Sequence, residues 1–182
     1  DTVAVVKENQ VQGVEKIQEE SVKVTKLTDK ITDYLAGLFS SGLLTEQQAS
    51  QTAGLMYVLG DVERIGNLSA GIALSMKEKE TNQYKYSPEA MDELAKCLKT
   101  LEKMFDSATK ALRGDTSIEL EKLMKRKDKI VNLDIMMRKS HIQRVNKGKC
   151  KASLTTPFTN ILHLIDRMGN SCINLADAAT NE

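Results

Sequence analysis

Residues 87–112, SPEAMDELAKCLKTLEKMFDSATKAL, decide the fold class because they have every feature of one long amphipathic helix. Ser87 is a residue type that caps helix starts, and the fixed backbone angle of Pro88 suits the first helical position. Apolar residues then recur every three or four positions, at Met91, Leu94, Leu98, Leu101, Phe105, Ala108 and Leu112. This period predicts a helix with one buried face, and Gly114 is placed to end it.

Four further segments show the same period. The first runs from Val14 to Leu38 and stops at Gly42. The second opens at a capping box of Thr45 and Gln48 and runs to Met76, before a polar stretch at 77–86 that predicts the longest loop. The fourth helix is expected to start at a second capping box, Thr116 with Glu119, and to end at Gly148; the last is expected to span 156–179. These segments predict an all-α antiparallel bundle of five helices in a single domain, 1–182.

Composition excludes several classes of function. Lys and Arg total 26 against 25 Asp and Glu, so the basic excess that nucleic-acid binding requires is absent. No glycine-rich phosphate loop and no set of nucleophile, base and orienting group stands out, which predicts a protein that is not an enzyme. The three cysteines, Cys97, Cys150 and Cys172, have no CxxC spacing and are expected to be reduced thiols that act as small buried apolar residues.

The chain contains an internal repeat. Residues 61–73, DVERIGNLSAGIA, align with 164–176, LIDRMGNSCINLA, and share an acid-Arg-apolar-Gly-Asn core. Two similar copies about a hundred residues apart predict two tandem helical repeats, 1–84 and 85–182. Glycine in mid-helix is unfavourable by up to ~1 kcal/mol relative to alanine, so Gly66 and Gly169 predict a close approach by a neighbouring helix.

These residues resemble the PhoU family of phosphate-uptake regulators, whose two three-helix repeats each carry a similar signature. The series 138–145 (RKSHIQRV), 148–150 (GKC), 158–162 (FTNIL) and 165–174 (IDRMGNSCIN) is most similar to the PhoU-type domain at the cytoplasmic end of bacterial sodium/phosphate cotransporter family proteins. The resemblance implies a PhoU-like fold whose first repeat lacks most of its first helix, with residues 1–12 as the end of that helix. The chain would then be a domain cut from a membrane protein.

The function implied is that of a non-catalytic regulatory domain concerned with phosphate uptake. Its partner would be the transmembrane transport domain of the same polypeptide, at the cytoplasmic face of the bacterial plasma membrane. An apolar edge left by the incomplete first helix makes a homodimer a second candidate assembly. A free-standing PhoU-type phosphate signalling regulator and a metal-binding helical bundle are the alternative functions.

The resemblance also implies candidate metal ligands, because PhoU-like proteins can hold metal clusters through an acid-xxx-Asp pattern. A divalent or iron ion is the candidate cofactor, although an amide replaces one carboxylate in each pair. The candidate ligands are Glu63, Asn67, Asp128, Asn132, Asp166 and Asn170, with Ser21 and Thr25 as the first-repeat equivalents of Asp128 and Asn132. The alternative is that Asn67 and Asn170 form hydrogen bonds between helices, near Arg64 and Arg167.

A basic run on the fourth helix is a candidate surface for anionic lipid or for a transporter. It comprises Lys122, Lys125, Arg126, Lys127 and Lys129. The alternative is a solvated helix face whose charges pair within the helix, with Glu119 and Glu121 as partners.

Overall fold

The computed structural model describes residues 2–8 and 13–180, and these form an antiparallel bundle of six α-helices. The helices are α1 (Thr2–Glu8), α2 (Gly13–Ser40), α3 (Glu46–Thr81), α4 (Pro88–Leu112), α5 (Leu120–Asn146) and α6 (Thr155–Thr180), with a 3₁₀ turn at Ala152–Leu154 before α6. The all-α prediction is confirmed, with α1 as an additional short helix. None of the helices described is both long and apolar enough to cross a membrane.

Most predicted helix ends are found where capping chemistry placed them. Thr45 caps α3 in a full capping box with Gln48, and the Ser87 hydroxyl accepts a hydrogen bond from the backbone N–H of Ala90 at the start of α4. Three helices are followed by glycines with positive φ, at Gly42, Gly114 and Gly148. Such backbone angles are easily reached without a Cβ atom.

Two predicted boundaries are wrong. Helix α3 continues through the charged stretch to Thr81, and Gln83 (φ 54°), rather than a glycine, provides the left-handed residue after it. Helix α5 starts at Leu120 instead of Thr116, because the Asp115 carboxylate accepts hydrogen bonds from the backbone N–H and hydroxyl of Ser117. Short polar side chains that bond to nearby backbone groups compete with helix formation in this way.

Helix α6 lies at the centre of the bundle and packs against α3, α4 and α5. Its apolar face is almost completely buried, as are the facing residues of α4. The largest fully buried side chains include Phe158, Ile161, Leu162 and Ile165 on α6, Leu94, Leu98 and Met104 on α4, and Ile72 and Met76 on α3. Burial of a side chain of this size contributes about 1.5–3 kcal/mol.

The two halves of the chain are covered unequally. Helix α4, of 25 residues, packs along α5 and α6. In the first half, α2 and α3 pack on each other, and α1, of seven residues, contacts α2, α3 and α4. Val5 and Val6 of α1 are buried, so α1 covers only a short length of the α2–α3 pair. The predicted end of the incomplete helix, 1–12, includes α1; residues 1 and 9–12 lie outside those described.

Candidate functional site

The two repeated segments meet where α3 crosses α6. Asn174 donates a hydrogen bond from Nδ2 to Oδ2 of Asp61 over 3.1 Å. A second contact lies ten residues after Asp61 on α3 and ten residues before Asn174 on α6: a Cβ atom at Gly71 would lie 3.4 Å from Leu164. The helices are therefore antiparallel, with Gly66 level with Gly169. A pair of equivalent helices related by a two-fold axis has this register.

Asp61 affects the buried thiol next to this crossing. Its carboxylate side chain is 13 % exposed and lies 3.8 Å from Nη1 of Arg64. Burial, with a smaller contribution from the charge of Asp61, raises the pKa of Cys172 to about 12. Cys172 is therefore an inert, protonated core residue at physiological pH, as the sequence predicts.

The signature residues of α3 bond to hydroxyl groups of α2. Oδ1 of Asn67 accepts a hydrogen bond from the Ser21 hydroxyl over 3.0 Å, and Oε1 of Glu63 accepts one from Thr25 over 3.3 Å. The predicted interhelical hydrogen bond is thus confirmed for Asn67. Gly66 lies between these two bonds, where an added Cβ would be 3.5 Å from Val24 of α2.

The signature residues of α6 meet a lysine instead. Lys127 of α5 forms an ion pair with the Asp166 carboxylate and also donates to the Asp166 backbone oxygen over 3.1 Å. Its stem passes over Gly169, where a Cβ would lie only 3.0 Å from Cδ of Lys127. The predicted close approach is found at Gly169, where the approaching group is a charged side chain, whereas an added Cβ at Gly66 would make only ordinary van der Waals contact.

These contacts correct the predicted pairing between repeats. Val24 and Lys127 are 103 residues apart, as are Gly66 and Gly169, whereas matching Ser21 to Asp128 requires an offset of 107. That match is therefore wrong by about one helical turn. Asp128 and Asn132 are exposed, and Lys127 occupies the position opposite Asp166.

Glu63 and Asn67 line one pocket, but the candidate metal ligands at the helix contacts bond to other groups. Glu63 and Asn67 are satisfied by hydroxyl groups, Asp166 by an ammonium group, and Asn170 is exposed. Within residues 2–8 and 13–180, no three His, Cys, Asp or Glu side chains are grouped so that they could hold a metal ion.

The basic side chains of the predicted surface on α5 contact different groups. Lys122 pairs with Glu119 and Lys125 with Glu121, each over 2.7 Å. Arg126 donates to the Ser107 hydroxyl of α4, and Lys127 is 12 % exposed against α6. Lys129 is exposed. The intrahelical pairing expected of a solvated face is confirmed for Lys122 and Lys125, and Lys127 is not a surface residue.

An uncovered apolar face lies on the α2–α3 hairpin, where the sequence predicts an apolar edge beside the incomplete first helix. Leu27, Ile31 and Tyr34 follow one another at helical spacing on α2 and are 59 %, 44 % and 66 % exposed. Leu55, level with them on antiparallel α3, is 47 % exposed. We call Leu27, Ile31, Tyr34 and Leu55 the α2–α3 apolar face. All four belong to the apolar stripes of the segments that predict α2 and α3.

A polar cluster that the sequence analysis missed lies at the opposite end of the hairpin from this face. Sγ of Cys150 lies 3.8 Å from Nδ1 of His141, and Nε2 of His141 lies 2.8 Å from Oγ1 of Thr155. His141 and Cys150 both lie in the motif series quoted above, at 138–145 and 148–150. A separation of nine residues across a helix end does not indicate contact.

Comparison with known proteins identifies no relative of this chain. No protein-family model, no curated protein and no solved structure matches this chain significantly.

Proposed function

We propose that this chain is a non-catalytic regulatory domain of a sodium/phosphate cotransporter family membrane protein, and that its α2–α3 apolar face binds the transport domain. The observation that carries the proposal is the exposure of Leu27, Ile31, Tyr34 and Leu55 along one side of a helical hairpin. Contiguous apolar patches of this kind on soluble proteins mark interaction sites.

The unequal cover of the two halves supports a helical partner for this face. In the second half, α4 packs along α5 and α6 and buries Leu94, Leu98 and Leu101 against them. In the first half, α1 occupies only a short part of the matching position. An amphipathic helix that lies along α2 and α3 would bury the exposed residues in the way that α4 buries its own face.

The identity of the partner is inferred from the resemblance of the His141–Cys150 and Asp166–Asn174 segments to PhoU-type domains of cotransporter family proteins. Such a domain would regulate transport by binding one conformation of the transport domain more tightly than the other. A tenfold difference in that affinity, about 1.4 kcal/mol, would shift the balance between two conformations tenfold.

Sodium-dependent phosphate uptake by cells that carry the complete gene tests the proposal. Leu27→Glu and Tyr34→Glu place a carboxylate in the contact, and each is expected to change the uptake rate while membrane abundance stays constant. Tyr57→Glu is the matched control, because Tyr57 is 81 % exposed on the same hairpin but, two residues from Leu55, projects from the other side of α3.

Uptake that responds equally to Tyr34→Glu and Tyr57→Glu, or to neither, would contradict the proposal. Circular dichroism and thermal unfolding of the purified chain should be unaffected by all three substitutions, since the replaced side chains are exposed.

A further inference from the structure

The turn between α5 and α6 brings a thiol back to a histidine on the preceding helix. After Asn146, the left-handed Gly148 (φ 67°) reverses the chain, so that Cys150 reaches His141. Sγ of Cys150 lies 3.8 Å from Nδ1 of His141 and also 3.8 Å from the backbone oxygen of Lys151. On the other side of the ring, Nε2 lies 2.8 Å from the hydroxyl of Thr155 at the start of α6.

The imidazole is held rigidly in this position. His141 is 3 % exposed and stacks on Phe158, with ring centroids 5.3 Å apart and planes 25° from parallel. Phe158 is itself buried and contacts Tyr86 on its other side. Burial, with a smaller contribution from Arg144, lowers the pKa of His141. The ring is therefore neutral near pH 7 and has a lone pair that can accept a proton.

Cys150 differs from the other two cysteines in its access to solvent. Cys97 and Cys172 are 1 % and 0 % exposed, and burial raises the pKa of each to about 12. Cys150 is half-buried and lines a pocket of about 580 Å³ between the α3–α4 and α5–α6 turns. Lys85, Lys149 and Lys151 also line this pocket, so it favours small anions.

We propose that Cys150 is a reactive thiol, with His141 as its base and Thr155 as the residue that positions the base, and that it undergoes thiol–disulfide exchange with small anionic disulfides. A nucleophile within reach of a base that a third group orients is the arrangement that activates thiols. Oγ1 of Thr155 accepts a hydrogen bond from the protonated Nε2 of His141, which leaves Nδ1 to accept the proton of the Cys150 thiol.

In the exchange step, the small disulfide is the oxidant and the Cys150 thiol is oxidised. The Cys150 thiolate attacks one sulfur of the disulfide, a new S–S bond forms to Cys150, and the original S–S bond breaks. The other half of the disulfide leaves as a thiolate that takes the electron pair. The proton of Cys150 passes to Nδ1 of His141 and then to solvent.

The test uses the dianionic disulfide 5,5′-dithiobis(2-nitrobenzoate), whose released thiolate is measured by absorbance. The native chain is expected to release one rapid equivalent for its three cysteines, and Cys150→Ser should abolish it. Lys149→Gln should slow this reagent several-fold but not the neutral reagent 2,2′-dithiodipyridine. Lys30→Gln, the same charge change on α2, is the matched control.

The role of His141 is tested by the pH dependence of the same reaction. We expect His141→Gln to react about tenfold more slowly than the native chain at pH 6, and at a similar rate at pH 9, where exposed thiols are largely ionised. Thr155→Val should also slow the reaction at pH 6, and this variant retains the His141 ring stacked on Phe158.

Other charged or titratable groups lie around the pair, and neither His141→Gln nor Thr155→Val changes any of them. They are Arg144 on α5, Lys85, Lys149 and Lys151 in the two turns, and Tyr86 before α4. Glu89 on α4 interacts electrostatically with Arg144 and Lys149. A difference between the pH profiles of the native chain and His141→Gln therefore belongs to His141.

Three results would overturn the proposal. The first is rapid reaction that survives Cys150→Ser, and the second is equal rates for the native chain and His141→Gln at pH 6. The third needs no variant and remains decisive if the substitutions unfold the chain: a native pH profile as steep as that of free glutathione. A loss of rate with Lys30→Gln as large as that with Lys149→Gln would refute the preference for anions.

Discussion

Substitution of glycine by alanine at three helical positions measures how closely the neighbouring helices approach. A Cβ atom at Gly60 of α3 would meet nothing within 4 Å, at Gly66 it would lie 3.5 Å from Val24, and at Gly169 it would lie 3.0 Å from Cδ of Lys127. Alanine is favoured over glycine within a helix by about 0.8–1.0 kcal/mol. Gly60→Ala and Gly66→Ala should therefore raise the free energy of unfolding by about 0.5–1 kcal/mol.

Gly169→Ala should be neutral or destabilising, because the new methyl group displaces the side chain of Lys127. The Lys127 ammonium group contacts both the carboxylate and the backbone oxygen of Asp166. Disturbing its ion pair and its 3.1 Å hydrogen bond to the backbone is expected to cost about 1 kcal/mol, which cancels the gain in helix propensity. In a Lys127→Ala background, the obstacle is gone, and the same substitution should recover the gain.

Urea unfolding followed by circular dichroism gives the four changes in unfolding free energy: those at Gly60 and Gly66, and that at Gly169 with and without Lys127. The change in unfolding free energy for Gly169→Ala is expected to lie about 0.5 kcal/mol or more below that for Gly60→Ala. This expectation would be refuted if Gly169→Ala stabilised the chain as much as Gly60→Ala, or if its effect were the same with and without Lys127.

Three further predictions concern the interior. A double-mutant cycle with Lys127→Met and Asp166→Asn should give a coupling free energy of about 1 kcal/mol, reduced by solvent screening because Asp166 is 38 % exposed. Phe158→Ala should cost about 3–5 kcal/mol in urea unfolding, since it removes a fully buried ring; a cost below 1 kcal/mol would contradict that packing. The lowered pKa of His141 means that the unfolded chain binds more protons below pH 6.5. The native chain should therefore lose more stability than His141→Gln between pH 7 and pH 5.5, and an equal loss would show that His141 is not buried in its neutral form.

The sequence predicts well those features that depend on local chemistry. The cap residues Thr45 and Ser87 accept hydrogen bonds from backbone N–H groups three residues later. The glycines after α2, α4 and α5 take the left-handed conformation that ends a helix. The end of α3 at Thr81 could not be predicted because Gln83, the left-handed residue that follows it, is not a glycine. The start of α5 could not be predicted because two local patterns compete there. The sequence allows a capping box of Thr116 with Glu119, and it also allows the turn at Asp115 that forms.

Features that depend on tertiary partners could not be predicted in the same way. The periodicity of α2 shows that Leu27, Ile31 and Tyr34 share a face, but a neighbouring element decides whether that face is buried. Helix α4 has an equally regular stripe, and there the partners are present. The contact between His141 and Cys150 depends on how the chain turns after α5, which no helical period encodes.

Photo-cross-linking from the α2–α3 apolar face tests the central claim most directly. Benzoylphenylalanine is introduced at Tyr34, or at Tyr57 as the control, in cells that carry the complete gene, and cross-linked peptides are identified by mass spectrometry. If the face binds the transport domain, Tyr34 is expected to cross-link to the sodium/phosphate transport domain and Tyr57 is not. Cross-links from Tyr34 to a second copy of this chain would assign the face to a homodimer, and links to a soluble protein would favour a free-standing regulator. Either result, or equal labelling from both positions, would contradict the claim that this face binds the transport domain.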